Sequence, residues 1–169
     1  MHPDLSPLVA ATARWLTSAY PAGGGAVDRA LAEAQARQAV GVAAALRYPT
    51  ELDAGLVAVT GAGGADRLDW ITGADGDPAP WRTWVDEVVA SWAACLLGEP
   101  ELASAAVAAV VGHGVAPECR RLLNPTERDL RAAALLRHPD LLTPVSALHR
   151  PELLDLLAIP GPRDATLRS

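Results

Sequence analysis

The chain has 169 residues, of which 50% are apolar and 20% charged. That is enough apolar surface to offset the ordering entropy of a core without disulfide or metal staples, and it excludes a chain disordered throughout. A net charge of −6, from 20 acids against 14 cationic side chains that are all Arg, sets most of the surface against nucleic acid.

Helix punctuation dominates the N-terminal third: Pro sits at the first helical position behind a capping residue, where its missing N–H is not needed. Ser6-Pro7 opens a helix over 6–20, with Leu5, Leu8, Val9, Leu16 and Tyr20 at helical spacing and Pro21 and the glycines at 23–25 ending it. A second, Ala-rich helix follows, its face marked by Val27, Leu31, Ala34, Val42 and Ala45 and its end by Tyr48-Pro49.

Between residues 50 and 80 this grammar breaks, because Gly55, Gly61, Gly63, Gly64, Gly73 and Gly76 each weaken a helix. Leu56 to Thr60 and Leu68 to Thr72 are short β-branched or aromatic runs around a glycine turn, so a small β-hairpin or ordered loop is expected near 55–77.

Regular structure is expected to resume after Pro78. Trp81, Trp84, Val85, Val88, Trp92, Cys95 and Leu96 read as one stripe of an amphipathic helix ending at Gly98. Pro100 then opens an Ala/Val helix to about Gly112, apolar nearly all round and therefore expected in the middle of the bundle. Short Pro-opened helices are expected over 117–123, 125–137 and 151–158, with a turn around Pro144. The phrases at 136–142 and 148–154 look alike, but Pro-acid-Leu also stands at Pro3 and Pro100, so helix-start chemistry accounts for them without a repeat.

Motifs for chemistry are sparse. Val57 to Gly64 has the look of a strand and glycine turn, yet Asp66 stands where a dinucleotide-binding fold needs a third glycine and no βαβ series follows, so no cofactor is expected. Asp66, Asp69, Asp75 and Asp77 crowd the glycine-rich stretch without the spacing of a calcium loop, and read as solvated turns. The four histidines, His2, His113, His138 and His149, lack zinc spacing; His113, between glycines at a helix end, is kept as a candidate. Cys95 and Cys119 are widely separated and read as free thiols. Without Phe, the Trp stripe is expected as core; as a binding surface it offers Trp81, Arg82 and Trp84.

Residues 123–130, Leu-Asn-Pro-Thr-Glu-Arg-Asp-Leu, followed by Leu135, Leu136, Arg137, His138 and Pro139, resemble the first helix of winged-helix response-regulator effector domains. The resemblance covers fewer than about 30 residues and implies a helix-turn-helix-like segment within 117–158. It departs from that family by an extra residue before Arg137 and by a Leu-rich final helix, so no functional residue is carried over. Arg120, Arg121, Arg128, Arg131 and Arg137 are phosphate contacts only if they share a face; beside Glu118, Glu127 and Asp129 they read as solvated ion pairs.

The expectation is an all-α, single-domain bundle of about six helices spanning 1–160, with an irregular or hairpin insertion near 55–77 and a flexible tail at 161–169. Neither a secretory signal nor a membrane span is legible, so a cytoplasmic location is expected. With no catalytic motif visible, the leading functional reading is a protein–protein interaction or regulatory module, acting on a partner or on its own copy. A small enzyme or small-molecule binder with a pocket between helices near the Trp stripe comes second, and a DNA-associated protein third.

Overall fold

The computed structural model describes residues 4–74, 76, 78–112 and 118–158. Among these residues the fold is all-α, as the sequence predicts, with no strand: α1 Ser6–Ala19, α2 Ala26–Arg47, α3 Glu51–Thr60, α4 Asp66–Thr72, a 3-10 helix Pro80–Trp84, α5 Glu87–Gly98, α6 Pro100–Gly112, α7 Arg120–Leu123, α8 Glu127–Ala132, α9 Pro139–Ser146 and α10 Arg150–Leu156. None of these helices is long and apolar enough to cross a membrane. The predicted helix start at Pro117, the tail at 161–169, and the candidates His113, Asp75 and Asp77 lie outside the described residues.

α2 and α5 form the centre, with α1 packed on α2 and α9 on α5. Helix α5 is buried at every position from Val89 to Leu97, and α2 contributes Ala36, Ala39, Val40, Val42 and Ala43. Small alanines bring these two helix axes close, and Leu8, Trp15, Leu16, Leu96 and Leu136 fill the remaining space. The central place expected for α6 belongs to α5: α6 buries only Leu102, Ala103, Ala106 and Val110 and leaves Ser104 and Val111 in solvent.

The β-hairpin near 55–77 is not formed; that stretch is α3 and α4. Thr50 and Asp53 make a reciprocal capping box at the start of α3, Thr50 Oγ1 accepting from Asp53 N at 3.2 Å and Asp53 Oδ2 from Thr50 N at 3.1 Å. Gly61, at φ +81°, then stops the helix, and Gly73, at φ +65°, closes α4 in the left-handed region. A lone two-stranded ribbon would leave its edges unpaired, whereas each helix closes its own hydrogen bonds and seats an apolar residue on the core: Ala54 and Val57 from α3, Leu68 from α4.

The single tryptophan stripe is also divided. Val85 and Asp86 are extended, and Asp86 caps α5 by accepting from Val89 N at 2.9 Å, so Trp81 and Trp84 belong to the 3-10 helix and only Trp92 to α5. Pro144 is not at a turn but inside α9. Having no N–H, it costs that helix one internal hydrogen bond, tolerable on the exposed side of a short helix.

Candidate functional site

The tryptophans separate core from surface. Trp15 and Trp92 are buried and donate their indole N–H groups inward, Trp15 to Asp69 Oδ1 and Trp92 to the His149 carbonyl, each at 2.9 Å. Trp81 and Trp84 are half-buried against the core, whereas Trp70 is 84% exposed.

Of the sequence candidates, Trp81, Arg82 and Trp84 share the 3-10 helix. Arg82 pairs with the Asp69 carboxylate, and both side chains are largely shielded from solvent. Two guanidinium groups lie against the Trp81 ring, Arg14 at 5.5 Å and Arg82 at 5.4 Å from its centroid. Asp69 therefore ties α1, α4 and the 3-10 helix together through Trp15 and Arg82. Beside this knot, Ala62, Gly64, Ala65, Asp66, Asp69, Arg82 and Thr83 line an open cleft of about 480 Å³.

A second polar knot joins α1, α2 and α5. The Tyr48 hydroxyl donates to Asp86 Oδ2 at 2.5 Å, and Asp86 N donates to Thr12 Oγ1 at 3.3 Å. Burial, then the adjacent Asp86 carboxylate, pushes the Tyr48 phenol up to about 12. A third knot binds the C-terminal helices to α2: Gln35 Nε2 donates to the Asp129 carbonyl at 2.9 Å, and Arg137 Nε to Gln35 Oε1 at 2.5 Å. Arg137 also donates to the Arg121 carbonyl at 2.8 Å, while Arg121 itself pairs with Asp129 at 2.6 Å. Two of the five arginines considered as phosphate contacts are thus engaged within the protein, leaving Arg120, Arg128 and Arg131 exposed. Every buried side-chain nitrogen and oxygen among the described residues has a hydrogen-bond partner.

The α9–α10 corner is clasped to α5 by polar groups. Ser91 Oγ donates to the Ser146 carbonyl at 3.0 Å and accepts from His149 N at 3.0 Å. His149 Nε2 lies 2.8 Å from Glu87, and Arg150 forks onto Glu99 with bonds of 2.9 and 2.8 Å. These contacts fix helices, and none aims a polar group at an open space.

The surface feature that sequence reasoning missed lies on α3. Leu52, Leu56 and Val59 are 75, 56 and 87% exposed. At 3.6 residues per turn the spacing of four and then three puts them on one face, opposite the Ala54 and Val57 side that seats the helix. The helix is apolar on both sides, and read as a strand its period was invisible. Alongside it runs a groove of about 330 Å³ lined by Arg47, Tyr48, Asp53, Leu56, Val57, Thr60 and Gly61.

Among the described residues, fold and surface together define an all-helical architecture that carries an exposed apolar helix face. The chain matches no family model, no curated protein and no solved structure.

Proposed function

We propose that this protein is a protein–protein interaction module that docks a partner on the outer face of α3. The observation that carries the reading is the exposed row of Leu52, Leu56 and Val59 beside its groove. Burying an aliphatic side chain contributes roughly 1.5–3 kcal/mol, so three left in water are a standing source of association free energy. Their spacing is that of consecutive d, a and d positions in a helix pair, the geometry in which one amphipathic helix meets another.

The test is a panel of labelled amphipathic helical peptides titrated against wild type and against L52Q/L56Q. The reading expects saturable binding that the double substitution abolishes while the urea midpoint stays within error of wild type. A loss of more than about 1 kcal/mol of stability on this exposed-face substitution would instead make the row part of the fold.

A second reading, a small-molecule binder, is favoured by the cleft of about 480 Å³ beside Trp81, where the glycine loop, Asp66 and Arg82 converge. Arg82 and Trp81 make indole emission the natural reporter. A ligand seated there shifts wild-type fluorescence and leaves the spectrum of R82A unchanged.

A further inference from the structure

We propose that the corner between α7 and α8 binds a small phosphoryl anion, free phosphate or a phosphomonoester, in the cleft that Arg120, Arg121, Asn124 and Thr126 line. The proposal is independent of the α3 reading. The cleft is about 280 Å³, with Glu118 and Asp129 completing its lining, a size that suits a small polar ion better than a drug-sized ligand. Charge already sets this part of the chain apart. Residues 118–137 hold five Arg against three acids, a surplus of two positive charges in a chain of net charge −6.

The hydrogen bonds show where that surplus sits. Asp129 is buried and spends both oxygens within the protein: Oδ1 takes Arg121 at 2.6 Å, and Oδ2 accepts from Thr126 N at 2.9 Å and Thr126 Oγ1 at 2.8 Å. It balances one guanidinium. Arg137, half-buried behind α7, donates only to neutral oxygens, Gln35 Oε1 and the carbonyls of Arg121 and Leu122. Its charge has no carboxylate in contact, and a partly desolvated charge without a counter-ion is unfavourable. Arg120 is exposed and has no partner among the described residues; Glu118, also exposed, offsets its charge without pairing with it. Glu127 and its neighbour Arg128 cancel, and Arg131 is exposed. An anion in the cleft therefore meets a net positive corner.

Guanidinium forks match phosphate oxygens, and Arg121, already held by a buried carboxylate, has less freedom to lose on binding. A nucleic acid is the poorer occupant, because its flanking phosphates would lie against the acidic remainder of the chain.

The experiment titrates inorganic phosphate and glycerol phosphate into the isotope-labelled full chain at fixed ionic strength, with chloride as reference, following N–H signals by NMR alongside Tm. Saturable shifts are expected at Arg120, Arg121 and Asn124, with Tm rising about 3–5 °C once phosphate is about tenfold above Kd. R120Q should bind about fivefold more weakly or worse while its Tm in chloride matches wild type, and E118Q should bind severalfold more tightly. R37Q, which alters an exposed guanidinium paired with Glu33 on α2, should bind as wild type does. Tighter binding of glycerol phosphate assigns the site to a phosphomonoester, and tighter binding of phosphate to the free ion. Shifts spread without saturation over many arginines, R120Q binding like wild type, or no response at about 50 mM phosphate would overturn the site. A DNA duplex that binds where both phosphates fail would overturn it too, assigning these cations to nucleic acid.

Discussion

Replacing Asp86 by Ala removes the carboxylate that joins the end of α2 to the head of α5 and leaves the bond from the backbone N of residue 86 to Thr12 of α1 in place. Its carboxylate caps α5 through Val89 N at 2.9 Å and accepts the Tyr48 hydroxyl at 2.5 Å while itself only 5% exposed. Loss of an N-cap costs about 1 kcal/mol, and a hydrogen bond to a charged group contributes about 1.5–3 kcal/mol, taken at the low end because Tyr48 is partly open to water. D86A should therefore lose roughly 2–3 kcal/mol, about 5–10 °C in Tm for a domain of this size. Y48F, which removes only the donor, should lose about 1.5 kcal/mol, and the double-mutant cycle should return a coupling of about that size. Urea unfolding followed by circular dichroism and indole fluorescence measures all four proteins. Burial first, and then the same bond, set a pH dependence: together they push the folded phenol up to about 12 from its ordinary value of 10.0. Its contribution is complete below about pH 10 and is lost as pH rises toward 12, and the phenolate absorbance should appear correspondingly late. A D86A variant within 0.5 kcal/mol of wild type, or a cycle with no coupling, would refute the assignment of Asp86 as the joint.

Other consequences follow from the remaining polar and aromatic groups. Asp129 is opposed by burial, but hydrogen bonds from Thr126 and Arg121 overcome it and hold its carboxyl below the ordinary 3.8, so the stability it contributes is present above that pH and lost as acid protonates it. D129A should cost about 2 kcal/mol at pH 7, and the difference from wild type should shrink in acid unfolding scans below pH 4. Burial, then Glu99, pushes the Cys95 thiol up to about 12, and burial also raises Cys119, so a thiol reagent at pH 8 should label neither at an appreciable rate until urea unfolds the chain. Trp70, 84% exposed, should carry most of the iodide-quenchable emission, and W70F should lose that component without a change in unfolding midpoint.

Much of the architecture was legible where a local signal and the tertiary need agreed. Helices α1 and α2 are where Pro7, the glycines at 23–25 and the apolar spacing put them, because caps and periodicity act within a few residues. The Pro-acid-Leu phrases at Pro100, Pro139 and Pro151 all sit at helix starts, as their chemistry requires. The candidate site was legible only in part. Arg82 and Trp81 do lie side by side, but through a 3-10 helix whose separation from α5 rests on Asp86, a capping signal outweighed by the conspicuous tryptophan stripe.

Local sequence by itself determined the all-helical class, the ends of the long helices and the surplus of negative charge, since each depends on neighbours along the chain or on a simple count. Only the tertiary structure decided that the helix at 51–60 turns Ala54 and Val57 inward, that α5 and not α6 holds the centre, and that Gln35 of α2 meets Asp129 and Arg137 from the C-terminal part of the chain. Those outcomes turn on which apolar face finds a partner in space. The outer row of α3 is the clearest case: its residues are as greasy as those of the core, and packing alone left them in water.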